Sequence, residues 1–480
     1  MSLAGAPLPR RLNLARHCLS DKPADKTALI VAGTETEAWS YGAIEDAVLR
    51  LAEGLRRRGL EQGGRLFIRM GNSLDYALLF FAANAAGGVP IPASPQLTPR
   101  ETGLLLRSSC ARLLAWDGSL ALPETEGVDI LTPDDIAEMK RAPAGSYADT
   151  AADDPAYLIF TSGTSGTPKG VLHAQRAIWG RRPMYQGWYG IGADDVMLHT
   201  GAFNWTYTLG TGLCDPFANG ATSVVCTGER DTGVWQRLIA RHGVTIMASV
   251  PGLYRQMLRA GFQPAASLRH GLTAGEALAQ PIRERWRADT GRELYEALGM
   301  SEISTYISSS PSVPVRDGSP GKPQAGRSVK ILENGQIGVH HSDPGLFLGY
   351  WGEQAFDGEW FATGDMAEID ADGYVWYRGR ADDLMNAGGF RVSPLEVESV
   401  LLQHPAIAEA GVREWPVSGS ASIIAAFVVP QPGAAPGEDL IMGFVRERLA
   451  SYKCPKQLWF VKALPRTANG KLIRKALERP

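Results

Sequence analysis

The stretch Thr161-Ser162-Gly163-Thr164-Ser165-Gly166-Thr167-Pro168-Lys169-Gly170 holds the residue types that a polyphosphate needs. Small residues let the backbone approach a ligand, and successive N–H groups can form a concave anion nest. The hydroxyls donate hydrogen bonds, and Lys169 adds a mobile positive charge. The preceding run Tyr157-Leu158-Ile159-Phe160 reads as a buried strand. The spacing is not that of a Walker A loop, which wants a fixed gap between its first glycine and Gly-Lys-Ser/Thr. A flexible Gly/Ser linker is the bland alternative. This order of Thr, Ser, Gly, Pro and Lys after a buried strand argues against it.

Four further stretches hold isolated charged groups: Gly299-Met300-Ser301-Glu302, Thr363-Gly364-Asp365, Gly379-Arg380-Ala381-Asp382-Asp383 and Pro465-Arg466-Thr467-Ala468-Asn469-Gly470-Lys471. Singly, each has an ordinary reading. Glu302 is an acid at a helix start, Asp365 part of a Gly-Asp turn, Arg380 a surface ion-pair partner, Asp382 half of a solvated pair and Lys471 a terminal surface charge. Gathered around a phosphate loop they could do more. A carboxylate there would recruit a hard cation. An ammonium there would stabilise an anionic transition state.

The elements that must position these groups follow from caps and periodicity. Ser40 reads as an N-cap, followed by apolar residues at helical spacing from Tyr41 to Arg58 and a closing Gly59. Strand patterns at 65–70, 89–91 and 112–115 alternate with helices at 73–86 and 98–109. Strands at 222–226, 244–249, 271–276 and 293–298 alternate with helices at 233–242 and 281–290. Such alternation implies parallel sheet in a layered α/β core. From 327 to 377 short strands with Gly and Asp turns suggest a smaller β-rich subdomain. After Asp383 the pattern changes again: a helix capped by Ser393 to Leu402, a strand at 423–429, a Pro/Gly stretch and a helix at 440–449.

Composition narrows the function classes. A 480-residue chain has material for more than one domain. A net charge of −3 argues against a general nucleic-acid or membrane-surface binder, so an anionic ligand must be held by local groups. The five cysteines (Cys18, Cys110, Cys214, Cys226, Cys454) form no Cys-x-x-Cys pair, which fits a reducing compartment and no structural zinc. His340-His341 read as surface or strand residues rather than metal ligands. Met1–Arg11 has no long apolar core, so no secretory signal is expected, and the most apolar run, 76–86, is too short to span a bilayer. The expectation is a cytoplasmic protein with no membrane span.

The phosphate loop and the four stretches, in this order, resemble the adenylate-forming superfamily of acyl-CoA synthetases, peptide-synthetase adenylation domains and luciferases. The resemblance covers nearly the whole chain. It implies an α/β fold with a large N-terminal adenylation domain (1–380) of layered α/β subdomains plus a β-rich subdomain. A small mobile α+β C-terminal domain (381–480) follows. It implies ATP, Mg2+ and coenzyme A as ligands, with Glu302 holding the metal, Ser301 beside it where relatives more often have Thr, and Lys471 catalytic. Thr161 through Thr167 and Lys169 would bind phosphates. Gly275-Glu276-Ala277 would line one side of the adenine and acyl sites. Leu298 stands where the family often has an adenine-stacking Tyr. Asp365 would take the ribose hydroxyls and Arg380 would reach ribose or phosphate. Asp382 resembles the hinge about which the small domain rotates between two half-reactions. Gly388 and Gly389 resemble the face that lines the pantetheine tunnel.

For the acid, the stretch His199-Thr200-Gly201-Ala202-Phe203-Asn204-Trp205-Thr206-Tyr207 offers aromatics and hydroxyls but no acidic residue to pair a substrate amine. An apolar or aromatic carboxylic acid therefore fits better than an amino acid. Trp205, Tyr207, Ala297 and Gly299 are candidate walls, His199 a candidate gate, and ordinary core packing is the competing reading. The Leu-Gly-Met-Ser-Glu variant at 298–302 and Leu209-Gly210-Thr211-Gly212-Leu213 resemble the benzoate–CoA ligase branch. The expected activity is an AMP-forming acid–CoA ligase. The rivals are a stand-alone adenylation enzyme loading a carrier protein and a non-catalytic nucleotide-binding protein on the same fold. The sequence leaves the oligomeric state open, a homodimer included.

Overall fold

The structure, a computed structural model, describes residues 7–161, 168–228, 230–231, 233–387, 390–418, 421–467 and 470–480. Its largest element is a nine-stranded sheet. In spatial order the strands are Lys322–Pro323, Ser304–Ser308, Glu293–Met300, His270–Ala274, Ile246–Ser249, Val196–His199, Thr222–Cys226, Thr27–Ala32 and Thr36–Ser40. The strands from Glu293–Met300 to Thr27–Ala32 run parallel, and the edges are antiparallel. Helices Pro251–Arg259 and Gln280–Thr290 connect parallel neighbours, and Val234–His242 crosses from Thr222–Cys226 past Val196–His199 to Ile246–Ser249, as crossover connections require. Leu198, Val224, Met247 and Leu294 bury one face of the sheet against Trp235, Ile239, Tyr254 and Trp286.

A second, all-parallel sheet has the order Val89–Pro92, Arg65–Arg69, Leu113–Trp116, Asp129–Leu131. Helix Leu74–Ala85 is buried along nearly all its length. A helix apolar all round can only sit inside a core, and this one packs between Tyr41–Arg57 and the interior. The caps read at Ser40 and Ser73 are present, Ser40 Oγ accepting from the Ala43 N–H and Ser73 Oγ from that of Tyr76; Thr98, read only as a helix start, forms a capping box with Glu101. Ser393 differs. It occupies the N-cap position of Pro394–Leu401 but makes no side-chain cap, and its Oγ is buried without a partner. Two π-helical turns, Tyr185–Tyr189 and Gly210–Cys214, carry no signature that the periodicity could have revealed.

The strand before the phosphate loop, Pro155–Thr161, turns back on itself: Lys169–Ala174 pairs with it antiparallel, Thr161 opposite Lys169. The strands on either side of the loop thus pair as the two arms of a β-hairpin. Short strand Gly349–Tyr350 adds to the hairpin's other edge, Tyr350 opposite Val171. A four-stranded antiparallel sheet holds Val329–Ile331, Gln336–His340, Trp360–Ile369 and Val375–Arg380. Beyond it lies a sheet of Ile407–Ser418, Ala421–Pro430 and Gln457–Phe460, whose core is closed by helices Pro394–Leu401 and Glu438–Arg446. Among the described residues no helix is long and apolar enough to cross a membrane.

Candidate active site

Ligands of parallel α/β sheets bind beyond the carboxyl ends of the strands. Four neighbouring strands end together here, and His199, Gly275-Glu276 and Ser301-Glu302 lie at or just past three of those ends. Side-chain alternation puts Ile246 and Ala248, Leu272 and Ala274, and Tyr295 and Ala297 on one face, and the side chains shorten towards the strand ends. Over these ends stands Tyr207, whose hydroxyl donates to the carbonyls of Ser249 (3.3 Å) and Leu272 (3.4 Å). Its ring meets Trp205 edge-on at 5.2 Å and His199 edge-on at 4.4 Å. The candidate walls Trp205, Tyr207 and Ala297 therefore share one apolar cluster. His199 is buried, and burial pushes its imidazole down to about 3. Its Nδ1 accepts from the Gly201 N–H (3.0 Å), so the neutral ring carries its proton on Nε2.

Gly275 has φ +95°, and a Cβ there would stand 3.2 Å from the Trp205 ring. Gly299 lies at an irregularity in the hairpin that Glu293–Met300 forms with Ser304–Ser308. A Cβ on Gly299 would fall 2.4 Å from the Ser304 carbonyl oxygen, so only glycine fits. Leu298, opposite Ile307 in the same hairpin, packs on an apolar cluster that includes Ile303 and Tyr306.

The turn of this hairpin holds Ser301 and Glu302. The Ser301 carbonyl accepts from His173 Nε2 at 2.7 Å. Burial lowers His173 to about 4, so it makes this bond as a neutral N–H donor. Glu302 is buried; Tyr350 Oη donates to its Oε1 at 2.8 Å. Across from it Lys169 Nζ lies 4.5 Å from the Tyr350 ring centroid and 3.3 Å from Glu353 Oε1. Lys169, Phe160, Tyr350, Trp351 and Glu353 line a cleft at the loop end of the phosphate hairpin. Ser162, Gly163, Thr164, Ser165, Gly166 and Thr167 lie outside the described residues.

Asp365 and Arg380 face each other across adjacent strands. Asp365 is buried; burial raises its carboxyl from 3.8 to about 6, against the opposing pull of Arg380, of a Tyr377 hydroxyl at 3.1 Å and of Lys471. Arg380 Nη1 also donates to the Thr363 carbonyl (3.1 Å), and its Nε to Asp382 Oδ1 (3.4 Å). The candidate hinge Asp382 is thus an exposed partner of Arg380. Gly388 and Gly389 lie outside the described residues.

Lys471 rides on a tight turn: the Thr467 N–H donates to the Lys471 carbonyl (2.8 Å), the Lys471 N–H to Thr467 Oγ1 (3.1 Å), and Gly470 has φ +87°. Arg466 anchors that turn to the large sheet. It meets Glu276 at 3.2 Å and Glu409 at 2.9 Å, while Arg255 meets Glu409 at 2.9 Å. Held this way, Lys471 is close enough for its charge to lower both Asp365 and Glu276, although burial leaves each raised overall. Sequence reasoning found these groups singly. It missed Arg255 and Glu409, which are 154 residues apart and carry no motif. It also missed the buried pair of Arg181 and Asp215 (2.6 Å), to which Tyr189 donates at 2.7 Å and whose arginine also donates to Ser304 Oγ.

The family model described as AMP-binding enzyme matches residues 15–351, and the one described as AMP-binding enzyme C-terminal domain matches residues 396–471. A 3-hydroxybenzoate–CoA/4-hydroxybenzoate–CoA ligase of Thauera aromatica is 30% identical, with 93% of this chain and 92% of that protein covered. The benzoate–CoA ligase of Burkholderia xenovorans LB400 superposes with a TM-score of 0.86 at 30% identity, covering 96% of this chain and 99% of that one. An anthranilate–CoA ligase solved with anthranoyl-AMP gives a TM-score of 0.86 at 28% identity, covering 97% and 96%. The chain belongs to the AMP-binding enzyme family, in its branch of AMP-forming acid–CoA ligases.

Proposed function

We propose that the acid is a small aromatic or apolar carboxylate, that ATP activates it at the ends of the large sheet, and that coenzyme A takes the acyl group there. In the first step a carboxylate oxygen attacks the α-phosphorus, the bond to the β-phosphate oxygen breaks, and pyrophosphate leaves. In the second the coenzyme A thiolate attacks the acyl carbonyl, the bond to phosphate oxygen breaks, and AMP leaves. Little covalent work falls to the protein, which positions reactants and neutralises charge. The observation that carries this reading is the seating of the Lys471 turn by Arg466 on Glu276, which brings an ammonium near both Glu276 at the strand ends of the large sheet and Asp365 of the four-stranded sheet.

The roles follow from position. The phosphate hairpin with Lys169 takes the β- and γ-phosphates. Asp365 accepts the ribose hydroxyls, with Arg380 beside it. Gly275, Glu276, Ala277 and Leu298 frame the adenine side, and Lys471 attends the α-phosphate. The large domain (1–380) binds ATP and acid, and the small one (381–480) brings Lys471 and turns about Asp382. Among the described residues no cluster of His, Cys, Asp or Glu could cage a metal. One buried carboxylate fits Mg2+, a cation bound through one or two carboxylates plus substrate phosphates. Glu302 would hold it, and the ion would neutralise developing phosphate charge. Trp205, Tyr207, Ala297 and Gly299 bound the acid, with His199 at the inner end. The aromatic box supports an aryl substrate, as do relatives named for benzoate and hydroxybenzoate. Free cysteines, four of the five buried, suit the reducing cytoplasm.

A pyrophosphate-release screen across aromatic, short, medium-chain and branched acids, each with and without coenzyme A, tests this reading. Benzoate-type acids with coenzyme A should turn over fastest. Coenzyme A-independent turnover that acylates a carrier protein would overturn the acceptor assignment, and a preference for amino acids the pocket assignment.

A further inference from the structure

The proposed roles leave Tyr350 unassigned, although it touches both charges that the first step needs. Its hydroxyl donates to Glu302 Oε1 at 2.8 Å, and its ring lies 4.5 Å below the Lys169 ammonium. A phenol O–H donates and a carboxylate oxygen only accepts, so the direction of this bond is set. The strand Gly349–Tyr350 is locked to the phosphate hairpin: Tyr350 pairs with Val171, and the Trp351 N–H donates to the Gly170 carbonyl at 2.7 Å. The Phe347 N–H donates to the Glu302 carbonyl at 2.8 Å, so the same segment also grips the Glu302 turn. Two segments that sequence separates, the phosphate hairpin and the Glu302 turn, thus meet through one side chain.

We propose that Tyr350 is a positioning residue that couples the phosphate hairpin to the metal-holding carboxylate. Its hydroxyl fixes which Glu302 oxygen faces the cation, and its ring fixes the Lys169 ammonium by cation–π contact. Groups that orient a metal-ligating carboxylate typically matter about 10–100-fold in metal affinity. A cation over a tyrosine face at a partly exposed site contributes less, about two- to fivefold in affinity. The two functions of one side chain can therefore be separated by substitution.

The inference rests on the reading of Glu302 as metal ligand, and its test separates the two. Mn2+ binding is measured by electron spin resonance on the full chain, with and without α,β-methylene-ATP, for wild type, Tyr350→Phe, Tyr350→Leu and Glu302→Gln. Binding of the metal-free analogue is followed by calorimetry, and thermal melts check that each variant folds. Tyr350→Phe keeps the ring and should weaken Mn2+ in the nucleotide complex about tenfold while leaving metal-free analogue binding unchanged. Tyr350→Leu should weaken both. Wild-type Mn2+ affinity in Tyr350→Phe, with Glu302→Gln impaired, would overturn the role of Tyr350 alone. Wild-type affinity in Glu302→Gln would overturn the metal reading and this inference with it. Identical losses in Phe and Leu variants for both ligands would show that the ring does nothing separate, and would overturn the coupling.

Discussion

Asp365 is placed where its charge is expensive to maintain. The carboxyl is buried, its Arg380 partner stands 3.7 Å away rather than in bidentate contact, and the balance leaves it titrating near 6 instead of 3.8. A group whose folded pKa is raised favours the folded state when protonated. That contribution is full below about pH 4 and is lost as pH climbs through about 6. With Asp365 in its proposed ribose role, nucleotide binding runs the other way, since only the ionised carboxylate would accept both ribose hydroxyls. The KM for ATP should therefore rise as pH falls below 6, approaching about tenfold per pH unit. In Asp365→Asn that slope should vanish and KM at pH 8 should be raised. Steady-state KM between pH 5 and 8 checks both; an unchanged slope in the Asn variant would assign the titration to another group. That an acid follows Thr363-Gly364 was legible in the sequence, but in place of the expected Gly-Asp turn Asp365 lies within the strand Trp360–Ile369. Its burial was not legible, because it depends on the strand Val375–Arg380 laid against it.

At the scale of elements, local signals were read well and returns were not. Helices Tyr41–Arg57, Leu74–Ala85 and Pro99–Ser109 start at serines and a threonine whose capping bonds are present. The parallel strands of the large sheet were visible as apolar runs because both faces are covered. The return of the phosphate loop as strand Lys169–Ala174 and the pairing of Tyr350 with Val171 were invisible, since periodicity says nothing of distant partners. The same limit hid the pair of Arg181 and Asp215, of which Asp215 directly follows the π-helical turn Gly210–Cys214 and Arg181 precedes the turn Arg182–Met184. This pair braces the Glu302 hairpin: Arg181 also reaches Ser304, which holds a left-handed φ of +74° that a non-glycine residue adopts only when its surroundings impose it. Arg181→Met should leave Asp215 buried without its cation and lower stability by about 3–5 kcal/mol. Urea unfolding should show the midpoint falling with an unchanged slope. A loss below about 1 kcal/mol would mean that Tyr189 alone can carry the Asp215 charge, to which it donates at 2.7 Å.

The whole molecule brings its C-terminal lysine to the sheet through a chain of alternating charges: Glu276, Arg466, Glu409, Arg255. Glu276 and Arg255 belong to the large sheet and its helices, Arg466 and Glu409 to the C-terminal residues. These contacts are only partly buried, so each contributes about 1 kcal/mol or less. That is enough to bias an orientation and too little to freeze it, as the proposed rotation between two half-reactions would require. Two substitutions separate chemistry from docking. Lys471→Ala should reduce acyl-AMP formation by about 10²–10³ and leave thioester formation from supplied acyl-AMP intact. Glu409→Gln touches no reactant. By removing a shared partner of two arginines it should slow acyl-AMP formation about fivefold, the factor that 1 kcal/mol corresponds to, and again spare the second step. Raising ionic strength should shrink the difference between Glu409→Gln and wild type, because screened pairs have less to lose. Both half-reactions measured separately, at low and high salt, decide it. Equal losses in the two steps would mean that this charge chain maintains the fold rather than one orientation, and Lys471 would then act in both reactions from a single domain arrangement.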